Sequence, residues 1–245
     1  MKELLNKIDK LKNKIDDFRP LKKSEIIQLK QFYQVGLTYS SNALEGNSLT
    51  ETETKIVIED GLTIGGKPLK DIYEAQGHSD AFDFMYSLID GDKITEKDIL
   101  KLHHLFYYRI DEGNAGRYRN VKVFVSGTNY KFPAPEEVPQ LMAKYVDELK
   151  GANEYVHTVE FAANAHKDFV EIHPFIDGNG RTARLLMNLI LLRNGFPVTI
   201  IPPIRRVDYI NALNEANTGN NAPFLKFIAE MIYESLKEYI RLLGN

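Results

Sequence analysis

The sequence predicts an all-α fold carrying one β-hairpin. Apolar residues recur at steps of three and four through most of the chain, one short stretch alternates instead, and no repeat or low-complexity linker divides the whole. At 245 residues and 43% hydrophobic content the chain can bury a full core, so one compact body is expected.

The elements follow in order. Leu4, Ile8, Leu11, Ile15 and Phe18 place one narrow apolar seam on an opening helix. That seam either pairs two chains in a homo-oligomer or packs against its own domain, and it is shorter than a sustained coiled coil. Thr95 and Asp98 have the spacing of a capping box ahead of another helix. VKVFVSGTNYKFPAP, residues 121–135, alternates apolar and polar, turns around Ser126-Gly127-Thr128-Asn129 and ends at prolines, which reads as the hairpin. Helical spacing returns with Val138, Leu141, Met142, Tyr145, Val146 and Leu149. VEFAANAHKDFVE, residues 159–171, is a buried amphipathic helix, IHPFIDGNG is a loop, and RTARLLMNLILLRNG is an apolar helix ending near Gly195. DYINALNEAN and the tail FLKFIAEMIYESLKEYIRLLGN supply two more helices.

Composition excludes several functions. The 31 basic and 34 acidic residues leave a net charge of −3, so no overall field draws the chain to nucleic acid or an anionic membrane. The absence of cysteine removes disulfides, thiolate metal sites and cysteine nucleophiles. No apolar run approaches the roughly 18 residues of a membrane span, and the charged N-terminus is not built as a signal peptide. A cytoplasmic protein is the expectation.

The chemistry concentrates in HPFIDGNGRTAR, residues 173–184. A glycine loop opens onto a helix N-terminus, where unpaired N–H groups and the positive dipole end favour an anion and glycine admits phosphate oxygens close to the backbone. Arg181 and Arg184 lie three apart, on one side of the first turn, and their forks suit a polyphosphate. Asp177 is a hard oxygen ligand for Mg²⁺, and His173 can take a proton from a hydroxyl. His78, His103, His104 and His166 show no zinc-ligand spacing and are assigned to structure.

HPFIDGNGRTAR resembles the Fic-domain signature H-P-F-x-x-G-N-G-R-x-x-R at every fixed position. The resemblance extends to Gly116-Arg117-Tyr118-Arg119, to the hairpin and to the helix after IPPIRR, covering most of residues 40–235. It implies a Fic fold that moves AMP from ATP to a Ser, Thr or Tyr hydroxyl of a protein target, or of the chain itself, with Mg²⁺, or Mn²⁺ in its place. His173 would be the general base, Asp177 the metal ligand, and Gly178 and Gly180 backbone contacts to phosphate. Asn179 would orient the α-phosphate, Arg181 and Arg184 would hold the β- and γ-phosphates, and Phe175 would anchor the loop. The hairpin would act as a flap, with Val125, Ser126, Gly127 and Thr128 pinning a target main chain. Tyr209 and Asn217 correspond to family positions lining adenine and ribose.

Ser41-Asn42-Ala43-Leu44-Glu45-Gly46 fits the family's inhibitory motif, a Ser or Thr, three residues, then Glu followed by Gly or Asn. Bidentate pairing of Glu45 with Arg184 would deny that arginine to the γ-phosphate, with Ser41 steadying the inhibitory helix around 37–46. The expected organisation is N-terminal helices over 1–60, a Fic core over 61–235 with flap 121–133 and loop 173–184, and a helix end over 236–245. Removal of AMP, transfer of another phosphate-containing group, or nucleotide binding without catalysis are the alternatives at the same site.

Overall fold

The computed structural model describes residues 1–125, 127–128, 130–150 and 156–244. Ten α-helices order the described chain: α1 (Lys2–Asp16), α2 (Lys23–Ala43), α3 (Glu51–Lys55), α4 (Leu69–Ser87), α5 (Glu96–Tyr107), α6 (Val138–Lys150), α7 (Thr158–Ile172), α8 (Asn179–Arg193), α9 (Arg206–Ala216) and α10 (Ala222–Leu243). α8 is the central strut. Its Leu185, Leu186, Met187, Leu189, Ile190 and Leu191 are all buried, as expected of a helix apolar on every side. α7 packs along it, α4 and α5 cover another side, and α10 closes over α7 and α9. Because α8 is central, its first turn is buried too, and the two arginines there are 2% and 1% exposed.

The seam on α1 resolves in favour of its own chain. Ile8 and Ile15 are fully buried, and α1 lies against α10. The capping box forms at α5: Thr95 Oγ1 accepts from the Asp98 N–H while the Asp98 carboxylate accepts from the Thr95 N–H. A second box, Thr50 with Glu53, starts α3. The region around 37–46 is the last part of the 21-residue α2 and a turn that ends at Gly46, whose φ is 95°. α10 runs without a break through position 236.

The expected hairpin is not seen. No β-ladder forms among the described residues, and Ser126 and Asn129 lie outside them. Arg119 takes the place of the first rung: its Nη1 donates to the Val121 carbonyl at 3.1 Å and its Nη2 to the Pro133 carbonyl at 2.7 Å. A side chain therefore gathers the two ends of the segment, which have no neighbouring sheet to stiffen them into strands. No helix among the described residues is long and apolar enough to cross a membrane.

Candidate active site

α7 ends at His173, which adopts φ 51° and donates its N–H to the Phe169 carbonyl at 3.0 Å. Pro174 disfavours a right-handed helical conformation for the residue before it, and the chain turns away there. Positive φ in a non-glycine residue marks a position held by its surroundings. Arg119 supplies part of that hold, with its Nε donating to the His173 carbonyl at 2.7 Å. The His173 ring places Nδ1 3.2 Å from the Val170 carbonyl, which fixes the proton on Nδ1 and leaves Nε2 to accept. Burial pushes the ring's pKa down to about 4, with nearby Arg119 lowering it further against the Val170 hydrogen bond, Glu45 and Asp177. The imidazole is neutral at pH 7.

The loop between α7 and α8 is braced from inside. Phe175 is fully buried and stacks on His103 with centroids 3.7 Å apart. His103 Nδ1 accepts from the Gly116 N–H, so Nε2 carries the proton and donates to the Asp177 carbonyl at 3.1 Å. Asn179 closes the same loop: its Oδ1 accepts from the Phe175 N–H at 2.9 Å and its Nδ2 donates to the Phe175 carbonyl at 2.8 Å.

Both arginines meet carboxylates. Arg184 Nη2 lies 2.6 Å from Glu45 Oε1, a single-point contact rather than the bidentate pair expected. The rest of its fork is occupied: Nε donates to Ser41 Oγ at 2.9 Å, Nη2 also to the Ser41 carbonyl at 2.9 Å, and Nη1 to the Tyr209 hydroxyl at 3.3 Å. Ser41 thus ties the last turn of α2 to Arg184, rather than bonding within its own helix. Burial would raise the pKa of Glu45, but Arg184 and Arg181 outweigh it and hold the carboxyl below its ordinary value. The carboxylate lies over the first turn of α8, where a Cβ on Gly180 would collide with it. An anion already sits at the helix N-terminus, and it is a side chain of this chain.

Arg181 Nη1 pairs with Glu74 of α4 at 2.8 Å, and its Nη2 with Asp177 Oδ1 at 3.3 Å. Its guanidinium also stacks over Phe106 at 4.1 Å from the ring centroid. Asp177 is half-exposed, and its Oδ1 also accepts from the Gly178 N–H. That leaves Oδ2 for a cation. One hard oxygen beside a helix N-terminus fits Mg²⁺, which takes few protein ligands and keeps waters and substrate oxygens for the rest. No cluster of three metal-ligating side chains occurs among the described residues.

A pocket of about 180 Å³ joins several of the positions. Glu45, His173 and Gly180 line one part, Val125, Gly127 and Thr128 another, and Tyr209 and Asn217 a third. Asn214 Nδ2 donates to the Gly127 carbonyl at 2.9 Å, fastening the tip of the 121–133 segment to α9. Tyr209 faces inward more than the sequence suggests: its hydroxyl bridges Arg184 and His166 Nε2.

The profile of the Fic/DOC family matches residues 93–191. The solved structure of Fic-1 from C. elegans is 33% identical and superposes with a TM-score of 0.88, over 98% of this chain and 72% of that one. The chain belongs to the Fic/DOC family. It is also 38% identical over 245 residues to protein adenylyltransferase Fic of Nematostella vectensis and 39% identical over 206 residues to that of Drosophila willistoni. Those alignments take in 97% and 82% of this Fic/DOC chain but 56% and 41% of the two relatives, so it spans about half the length of the curated relatives it matches.

Sequence reasoning missed Glu74 and the work of Arg119 in this Fic/DOC site. Glu74 stands 107 positions from Arg181, and its only signal is a carboxylate on an otherwise buried stretch of α4, where a charge needs a partner.

Four neutral histidines surround the site, with consequences for acid stability. Burial lowers the pKa of His78, His103 and His166 to about 3, beside the roughly 4 of His173. The unfolded chain takes up protons from pH 6.5 downward while the folded chain resists until pH 4 to 3, so stability is full above 6.5 and lost as pH falls. Each histidine removes up to about 1.4 kcal/mol per pH unit in that window. Urea midpoints should hold between pH 8 and 7 and fall steeply between pH 6 and 5. A flat series down to pH 5 contradicts the neutral-histidine reading.

Proposed function

We propose that this chain transfers AMP from ATP to a hydroxyl group on a protein, itself included, and is restrained by its own Glu45. The observation that carries this reading is His173: a neutral base with Nε2 free, placed beside a helix N-terminus that carries two buried arginines. The adenylyltransferase relatives agree with it. Nε2 takes the proton of the incoming hydroxyl, whose oxygen attacks the α-phosphorus. The bond to the oxygen bridging the α- and β-phosphates breaks, and pyrophosphate leaves.

The backbone of Gly178, Asn179 and Gly180 at the start of α8 receives the phosphates. Arg181 and Arg184 hold the β- and γ-phosphates once Glu45 yields, and Tyr209 and Asn217 border the nucleoside. Mg²⁺, or Mn²⁺ in its place, would be held by Asp177 Oδ2 and would neutralise phosphate charge. The 121–133 segment, tied at its base by Arg119 and at its tip by Asn214, presents main chain on which a target strand can align. The cytoplasm, with its ATP, is the assigned place of work.

The test uses ATP labelled at the α or at the γ position. Label should stay on protein from the α position and not from the γ position; retention of γ label makes the chain a kinase and ends this reading.

A further inference from the structure

Arg184 is held from two directions, and only one of them belongs to the brake. Ser41 and Glu45, from the end of α2 and the turn after it, take Nε and Nη2. Nη1 donates instead to the hydroxyl of Tyr209 on α9 at 3.3 Å, and that hydroxyl lies 3.0 Å from Nε2 of His166 on α7. The two rings meet edge to face at 77°, with centroids 5.8 Å apart, and both are buried.

The protons in this chain run one way. A guanidinium only donates, so the Tyr209 oxygen accepts from Nη1 and its own proton has His166 Nε2 as acceptor. The His166 proton therefore sits on Nδ1, and burial, with Arg184 adding to it, lowers the ring's pKa to about 3 and keeps it neutral. Nδ1 has no hydrogen-bond partner among the described residues. A buried unpaired N–H is a cost that leucine at 166 would not bear, so packing alone does not call for histidine there.

Nη1 also faces the start of α8. It stands 3.1 Å from where a Cβ on Gly180 would lie, beside the Glu45 carboxylate. Of the five N–H groups of a guanidinium, the one at Nε meets Ser41 Oγ, the pair at Nη2 meets the Ser41 carbonyl and Glu45, and one at Nη1 meets Tyr209. Departure of Glu45 leaves one N–H on each terminal nitrogen, a fork that a phosphate takes at two points. The aim of that fork depends on what holds Nη1.

We propose that Tyr209 and His166 are positioning residues that act in series on Nη1, aim Arg184 at the γ-phosphate and so make the site prefer a nucleoside triphosphate to a diphosphate. The proposal rests on the reading that Arg184 takes the γ-phosphate once Glu45 yields. Neither residue is on α2, so their hold does not depend on the helix that carries Ser41.

The test compares α,β-methylene-ATP with α,β-methylene-ADP, which differ by the γ-phosphate and resist cleavage between the α- and β-phosphates, by calorimetry with Mg²⁺ in the Glu45→Gly protein. The triphosphate should bind at least about tenfold more tightly. Adding Tyr209→Phe, which keeps the ring and removes only the hydroxyl, should cut that preference roughly fivefold and leave the diphosphate's affinity unchanged. His166→Leu should do the same, and the two changes together should lose no more than either alone, because they break one chain. His166→Gln, whose amide oxygen can accept from the hydroxyl, should keep most of the preference. Retained diphosphate affinity reports an intact fold, and Tyr209→Phe carries the test should His166→Leu fail to fold. A preference unchanged by Tyr209→Phe, equal weakening of both nucleotides, additive losses in the pair, a His166→Gln protein no better than His166→Leu, or no triphosphate preference in Glu45→Gly overturns the proposal. Transfer of α label by Glu45→Gly is read separately, so its absence strikes the proposed reaction and leaves the nucleotide preference to stand or fall by itself.

Discussion

Glu45→Gly is expected to raise the initial rate of AMP transfer on the order of 100-fold, the scale on which a misplacement of about 1 Å suppresses an aligned reaction. Arg184 is gripped by Ser41 Oγ, the Ser41 carbonyl and the Tyr209 hydroxyl besides Glu45. Removing the carboxylate therefore frees one side of the guanidinium without letting the side chain swing away. The same change clears the space over Gly180, the position proposed above for a phosphate oxygen. Because Arg184 and Arg181 keep the carboxyl ionised against the effect of burial, ordinary changes in pH do not release it. Glu45→Gln keeps the length and loses the charge, and its rate should fall between the two. The unliganded Gly variant should also melt at a lower temperature, since a buried guanidinium has lost its counter-charge, and ATP should restore much of the difference. A Glu45→Gly protein no faster than the wild type, with ATP bound, removes the brake.

Local patterns carried much of the architecture. The three-and-four spacing placed α1, α6, α7 and α8 within a few residues, because each has one face, or in α8 every face, that has to leave water. The motif brought Glu45 and Arg184 into one argument although 139 positions separate them. What escaped were contacts that depend on how helices stack. Glu74 reaches Arg181 because α4 lies beside α8, and nothing in the periodicity of α4 says so. The 121–133 segment shows no ladder among its described residues, for the complementary reason. Alternation describes two strands that suit one another, but pairing needs a surface to lie on, and Arg119 meets the backbone carbonyls at Val121 and Pro133 instead. The bracing of the loop by Asn179, whose amide meets the N–H and the carbonyl of Phe175 four residues back, is likewise a contact that the motif alone does not announce.

His173→Ala in the Glu45→Gly background should lower AMP transfer by about 10²–10⁴-fold, the range of a lost general base, while leaving ATP binding nearly unchanged. Binding is the control because the phosphate contacts assigned to the start of α8 do not involve the imidazole. The pH profile separates a base from a structural histidine. The neutral ring is the active form, so kcat/KM of Glu45→Gly is constant while pH exceeds the His173 pKa and falls tenfold per unit below it. With that pKa lowered to about 4 by burial, the rate should be level from pH 8 to 5.5, where an unperturbed histidine would already have lost most of its activity. The window closes there for a different reason: below pH 6.5 the other buried histidines draw protons into the unfolded state, so rates near pH 5.5 need correction for the folded fraction. A corrected rate that declines through pH 6.5 places the essential proton on an exposed, ordinary histidine and withdraws the role from His173, and a His173→Ala enzyme that keeps its rate does the same without the pH series.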